Sequence, residues 1–310
     1  MSSSCYKINA YAKINLFLKI CGKLPNGYHK LFTIMQEVDL KDDLTVTIDD
    51  SKDETITVTD LEGNILPENN LCYTAADKFY GYMGRKFKKT DFPAVTITLD
   101  KHIPVQSGMG GGSSDAAAVL LVMQKHFNDP FTDSEMVDLA VSIGADVPFF
   151  LYGGTCLCEM VGEKITLLDP LSGSDIVLLK PEEGVSTAEC FAEADRYPSD
   201  DEMIRDYKEF TAALAADSAE KKEMKDLIAF LKNRADCSND LQKPAEKMVP
   251  VISALISELE EQGAELARMT GSGSSVFGIF DDEETAENAA SAIRESHADD
   301  GTVVLHLKTI

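Results

Sequence analysis

The stretch Pro104-Val-Gln-Ser-Gly-Met-Gly-Gly-Gly-Ser-Ser-Asp115 decides how the rest of the chain is read. Gly108, Gly110, Gly111 and Gly112 let the backbone curl towards a ligand that a Cβ would hold off. Ser113, Ser114 and Asp115 come next, and the alanine-rich run after them predicts a helix over 114–127. Just upstream, 95–99 reads as a strand. A strand, a glycine loop and a helix start, in that order, form an anion site. Orphan N–H groups and the positive end of the helix dipole converge there.

The residues flanking the glycines separate the known kinds of phosphate loop. A Walker A loop needs a lysine after them, and none is present. A dinucleotide-binding turn needs a third glycine, where Ser113 stands, and an acidic strand end some twenty residues on, where a turn occurs instead. The protein-kinase motifs HRD and DFG are absent. A merely flexible loop is the bland alternative, but it leaves the Ser-Ser-Asp sequence and the helix behind it unexplained.

Outward from the loop, strands are expected over 7–20, 32–40, 44–48 and 55–59, then a helix over 70–86. Thr132-Asp-Ser-Glu135 fits a capping box for a helix ending at Ile143, with Gly144 as its C′ residue. Strands are expected again over 155–159 and 164–168. The segment 169–175 (DPLSGSD) reads as a linker and 176–179 as a strand. Helices are expected over 202–214, 219–233, 244–262 and 284–297, with strands over 264–269, 275–280 and 302–307. Strands and helices do not alternate regularly, so the class is α+β in two parts, 1–168 and 169–310.

The 310 residues carry 29 Lys+Arg against 53 Asp+Glu, a formal net charge of −24. Such a field repels nucleic acid and anionic membranes, and excludes both as partners. A nucleotide must therefore be met by local positive potential from backbone N–H groups, a helix start and a few lysines. Seven cysteines, an odd number without CxxC spacing, read as reduced thiols, and the histidines do not join them at zinc spacing. Cys156 and Cys158 would share one strand face. Lys7, Lys13 and Lys19 interrupt any signal-peptide core, so a cytoplasmic location is expected.

The glycine-rich segment resembles the second motif of the GHMP kinases, named for galactokinase, homoserine kinase, mevalonate kinase and phosphomevalonate kinase. Met109 stands where that motif usually has Leu. Three further stretches are similar to family motifs: Ala12-Lys-Ile-Asn-Leu-Phe-Leu18 with Asn26-Gly-Tyr-His29, then Gly144-Ala-Asp-Val-Pro-Phe-Phe150, then Met269-Thr-Gly-Ser-Gly-Ser-Ser275. The first two are closest to a branch acting on a cytidine-diphosphate-linked methylerythritol. The resemblance implies a two-domain GHMP kinase fold with the active site in the cleft between the domains. It also implies transfer of the γ-phosphate of ATP, with Mg²⁺, to the 2-hydroxyl of that substrate, in the non-mevalonate isoprenoid pathway. Another GHMP kinase, of homoserine or mevalonate type, and an inactive nucleotide-binding module are the rival readings.

Asp146 reads either as an Asx-turn or capping residue or, with the resemblance, as the base that takes the hydroxyl proton. Lys13 is either a solvent-facing strand lysine or the ammonium that stabilises charge at the transferred phosphoryl group. Asn15 shares its strand face and is a candidate substrate contact. Tyr28 and His29 sit just after a turn, where an aromatic can stack on a base and a histidine can read a cytosine edge. Phe191 and Thr187 are further substrate candidates carried over from the resemblance, as are Gly271 and Ser272. Lys101 and Pro104 join Gly108, Gly110, Gly111, Gly112, Ser113 and Ser114 as nucleotide contacts, although a solvated surface lysine serves equally for Lys101. Ser114 or Asp115 is a candidate Mg²⁺ ligand, and Asp115 is alternatively the helix cap. Asp240 also matches a family stretch, without an assigned role.

Overall fold

The computed structural model describes residues 3–25, 27–52, 55–168, 171–197, 224–232 and 239–310. In chain order the elements begin with β1 (Ser3–Lys23), β2 (His29–Asp49), β3 (Ile56–Asp60), α1 (Leu71–Phe87) and β4 (Ala94–Asp100). Next come α2 (Gly111–His126), α3 (Asp133–Ile143), a short 3₁₀ turn (Phe149–Leu151), β5 (Thr155–Met160), β6 (Lys164–Leu167) and β7 (Asp175–Lys180). The remainder is α4 (Thr187–Ala194), α5 (Met224–Lys232), α6 (Gln242–Met248), α7 (Val251–Glu261), β8 (Leu266–Met269), β9 (Val276–Phe280), α8 (Glu283–Ser296) and β10 (Val303–Lys308). The α+β class expected from the sequence is the class observed.

These elements form two compact units built from interleaved segments. The first comprises Met1–Ala12, Leu40–Ile103 and Gly110–Tyr152. Here the second half of β2 pairs antiparallel with β4, with Leu44 opposite Leu99 and Ile48 opposite Val95, and β3 runs parallel to β4. Leu44, Val46 and Ile48 are buried while Thr45 and Thr47 are only half-buried, the period-2 signature of a one-sided strand. Helix α1 starts at Asn70, whose side chain accepts from Cys72 N, and ends on Arg85 and Lys86, which suit the negative end of the dipole. An aromatic cluster of Phe79, Tyr80, Phe92, Phe127 and Phe131 fills the space around it.

The second unit comprises Lys13–Asp39, Pro104–Met109 and Gly153–Ile310. The first half of β2 pairs with β5, and β5 with β6. A four-stranded antiparallel sheet runs β10-β7-β9-β8. Strand β7 is buried along its whole length, and the apolar faces of α7 and α8 join its core through Ile252, Leu255, Leu259, Ala286 and Ile293. The segment read as a linker is stitched to the C-terminal strand region: Gly173 N donates to Thr309 O, and Thr309 Oγ1 to Leu171 O.

Several local expectations are corrected. The strands expected over 32–40 and 44–48 are one strand, because Asp42 between them is buried and fully engaged. Helix α2 starts at Gly111, three residues before the expected Ser114. Helix α3 has its capping box and ends at Ile143, and Gly144 is its C-cap in an extended conformation (φ −175°) rather than the C′ residue. The single helix expected over 244–262 is two, broken at Val249-Pro250, since the proline has no N–H to continue the first. Residues 187–194 are helical, although no helix was expected there; Ser186-x-x-Glu189 is the cap signal that could have found it. The helix expected over 202–214 lies outside the described residues, as do 219–223 and 233 of that expected over 219–233, whose remainder is α5. Among the described residues no helix is long and apolar enough to cross a membrane, and six cysteines are free thiols.

Candidate active site

Within the second unit, β1 carries Lys13 and Asn15 on one face, both buried. Lys13 Nζ donates to Asn15 Oδ1 at 2.6 Å and to Gly108 O at 2.8 Å, while its backbone N–H donates to Met109 O. The reading of Lys13 as a solvent-facing strand lysine therefore does not hold. An ammonium out of water needs such acceptors. Asn15 in turn receives from Thr270 Oγ1, donates its own N–H to that hydroxyl and donates Nδ2 to Thr33 Oγ1.

The carbonyl of Gly108 is brought to Lys13 by an unusual backbone. Gly108 has φ +74°, and a Cβ there would run into the carbonyl of Thr270. Gly271 has φ +56°, and its Cβ would lie 2.6 Å from Gly108 O. Two glycine loops thus touch backbone to backbone, which neither tolerates with a side chain. Ser272 Oγ sits 2.8 Å from Thr187 Oγ1 at the first turn of α4. One turn further along α4, Phe191 stacks on the ring of His29, with centroids 4.8 Å apart and planes at 24°. His29 Nε2 lies 2.6 Å from Asp195 Oδ1, which Lys23 also contacts at its other oxygen. Hydrogen bonds from Lys23 and then His29 hold the Asp195 carboxyl below the usual range. Tyr28 beside them is 58 % exposed.

Within the first unit, Gly110 (φ +74°) opens α2 without any side-chain cap, so the amides of the first turn carry none. Asp115 is not that cap. It is buried inside the helix, where its Oδ2 meets Lys101 Nζ at 2.5 Å. Lys101 also pairs with Asp42, and Asp42 Oδ1 accepts from His102 N at 2.6 Å and Ile103 N at 2.9 Å. The Lys101 ammonium is therefore engaged by two carboxylates. Burial pulls its pKa down, but Asp115 and Asp42 outweigh that and raise it. Burial pushes Asp115 up to about 7, with Lys101 pulling down and Asp42 pushing up. Asp115 Oδ1 is buried without a hydrogen-bond partner. Asp146 is half-buried in the turn after α3; the Cα of Gly144 in that turn faces Ser113, 3.9 Å from a Cβ to Ser113 Oγ. Asp42 carried no sequence signal, being an acidic residue within a charged triplet, and Thr270 lay inside a quoted stretch without being singled out.

Two family models match: GHMP kinases N terminal domain over residues 70–154 and GHMP kinases C terminal over 212–299. The chain is 39% identical over 295 residues to 4-diphosphocytidyl-2-C-methyl-D-erythritol kinase of Desulfitobacterium hafniense, covering 92% of this chain and 91% of the relative. The chain belongs to that GHMP kinase family. The Clostridium tetani member is 36% identical, over 94% of this chain and 96% of its own length. A crystal structure of 4-(cytidine 5'-diphospho)-2C-methyl-D-erythritol kinase superposes with TM-score 0.69 at 28% identity, covering 97% of this chain and 99% of that one. A homoserine kinase from Cytophaga hutchinsonii reaches TM-score 0.70 at 16% identity, over 97% and 94% of the two chains, and shares the fold. As a member of the 4-diphosphocytidyl-2-C-methyl-D-erythritol kinase family, the chain is an ATP-using small-molecule kinase with the two-domain GHMP fold. The homoserine and mevalonate readings are not favoured by these likenesses.

Proposed function

We propose that the protein transfers the γ-phosphoryl group of ATP to the 2-hydroxyl of 4-diphosphocytidyl-2-C-methyl-D-erythritol, in the methylerythritol phosphate route to isoprenoids. The observation that carries this reading is the paired set of a buried ammonium on a glycine loop and a stacked His29–Phe191 platform in one chain whose relatives bear that name. The role of each residue is part of the proposal, as is the division into family domains 1–168 and 169–310.

The uncapped start of α2, with Gly110, Gly111, Gly112, Ser113 and Ser114, receives the nucleotide phosphates on its amides. Pro104 and Gly108 shape the approach. Lys101 contributes by neutralising Asp42 and Asp115, which keeps two carboxylates from repelling the phosphate chain. Lys13 stabilises charge on the transferred group and lowers the acceptor hydroxyl's pKa, and Asp146 accepts the hydroxyl proton as the oxygen attacks phosphorus. Asn15 orients the polyol. Tyr28, His29 and Phe191 hold the cytosine by stacking and by the imidazole's polar edge. Thr187, Gly271 and Ser272 line the remaining contact. The open oxygen Asp115 Oδ1 and the buried Ser114 suit a divalent cation, and Mg²⁺ held there would offset phosphate charge. The free thiols suit a reducing, cytoplasmic setting.

The test is Asp146→Asn. It keeps size and hydrogen bonding but removes the proton acceptor, so kcat is expected to fall by about 10²–10⁴ with ATP affinity retained. Wild-type kcat in that variant, measured as ADP released with the CDP-linked alcohol, would remove Asp146 from the role. Turnover by the wild type with homoserine or mevalonate instead would replace the substrate.

A further inference from the structure

Ser238-Asn239-Asp240 lies outside the set of residues assigned to binding or phosphoryl transfer. The structure gives two of the three partners at the glycine loops and at β1. Asn239 is fully buried, at 1 % exposure, and forms a parallel bridge with Leu18 of β1. Its Nδ2 donates to Gly271 O at 2.6 Å and to Met269 O at 3.1 Å, and its Oδ1 accepts from Leu241 N at 3.0 Å. Both amide donors are used, and each ends on a carbonyl of the third glycine motif. Asp240 faces the other way along β1. Its N–H donates to Leu18 O, its Oδ2 accepts from Ile20 N at 2.8 Å, and its Oδ1 pairs with the buried Lys19. Arg268 on β8 adds a third tie, from Nη1 to Leu16 O.

We propose that Asn239 is a positioning residue, whose side-chain amide sets the carbonyls of Met269 and Gly271 and so aims the 270–274 loop at the phosphate loop and at the Lys13–Asn15 pair. The loop has a reason to need an external fix. Its glycines provide no side-chain packing, and Gly271 must bring its Cα against Gly108. Asn239 grips the carbonyl of Gly271. Thr270, inside the gripped span, then holds both the N–H and the Oδ1 of Asn15. Asp240 registers β1 on the same dipeptide, so one two-residue step spaces the lysine strand from the glycine loop. A reacting geometry displaced by about 1 Å costs on the order of 10² in rate, which gives a clamp remote from the chemistry a direct effect on kcat. This inference rests on the kinase reading, but one of its tests does not.

Asn239→Asp keeps the shape and the acceptor for Leu241 N while turning an oxygen towards two carbonyls, so the grip becomes a repulsion. In the purified full chain we expect kcat at least tenfold lower, with KM for ATP within threefold of wild type. We also expect faster amide hydrogen exchange confined to 269–275. Asn239→Ala removes the grip without the repulsion and shows the same pattern at smaller amplitude; it carries both readouts if the aspartate variant does not fold. Wild-type kcat and exchange in a folded Asn239→Ala overturn the proposal. So does a rate loss that only tracks the unfolded fraction on melting, or exchange that quickens evenly through the second unit. If the wild type itself fails to turn over the CDP-linked alcohol, the substrate assignment falls. The exchange pattern then still decides the role of Asn239.

Discussion

Gly110-Gly-Gly-Ser-Ser114 and Gly271-Ser-Gly-Ser-Ser275 look alike on paper, yet the chain treats them in opposite ways. The first becomes the opening turn of a buried helix, and the second closes the turn between two strands, β8 and β9. The difference lies in the residues on the C-terminal side of each. Ala116-Ala-Ala-Val-Leu120 loses little side-chain entropy in a helix, whereas Val276-Phe-Gly-Ile-Phe280 fits a pleated, fully buried strand. Glycine and serine leave the backbone free, and the next five residues choose its path. One run starts a helix whose first-turn amides have no side-chain cap, while the other packs Gly271 against the backbone of Gly108.

The largest expected effect comes from breaking the contact between Gly108 and the Thr270-Gly271 turn. Gly108→Ala puts a methyl into the Thr270 carbonyl at a positive φ, and Gly271→Ala does the same against Gly108. Each is expected to lower kcat/KM by about 10²-fold and to cost about 1–3 kcal/mol of stability. Because each removes the same approach, the double variant is expected to lose much less than the product of the two. Full additivity in steady-state kinetics would show that the loops act independently. A smaller effect of opposite sign is expected from Gly112→Ala. Gly112 lies in the first turn of α2, and its Cβ would meet only Leu71 Cδ1, at 3.6 Å. The helical alanine gains up to about 1 kcal/mol, a rise of about 2 °C in the melting midpoint. A fall in that midpoint would mean the first turn is not helical in solution.

The smallest expected effect gives the baseline against which the loops are judged. His297, at the end of α8, lies 2.6 Å from Glu258 and 2.5 Å from Asp300. Burial lowers its pKa, but the bonds to Asp300 and Glu258 outweigh that and raise it above 6.5. Its contribution is therefore fully present below pH 6.5 and fades as pH rises through the folded pKa. Asp300, held at about 2 by His297 first and Thr302 next, contributes above its ordinary 3.8 and is lost as pH falls through about 2. His297→Gln should flatten the slope of the melting midpoint above pH 6.5 and leave kcat unchanged. An altered kcat would tie this surface cluster to the site, against its position at the far end of α8.

Legibility tracked how local the cause was. The capping box at Thr132, the helix from Asn70 and the strands flanking the glycine runs come from neighbours within a few residues, and all were readable. Of the two readings open for Asp115, the helix cap does not hold, and its actual partner could not be read locally: Lys101 lies fourteen residues back and also pairs with Asp42 on another strand. The break at Pro250 was readable and missed; proline lacks the N–H whatever surrounds it.

The sequence alone determined that a strand, a glycine loop and a helix succeed one another, and that lysine and asparagine alternate on one strand face, because both depend on short-range geometry. Only the tertiary structure decided that Gly108 faces Gly271, that Lys13 is buried on a loop carbonyl, and that Asn239 grips the second loop. Each of those contacts ends on a backbone group, between residues more than thirty positions apart. A peptide carbonyl is the same at every residue, so no letter of the sequence marks which one will be met.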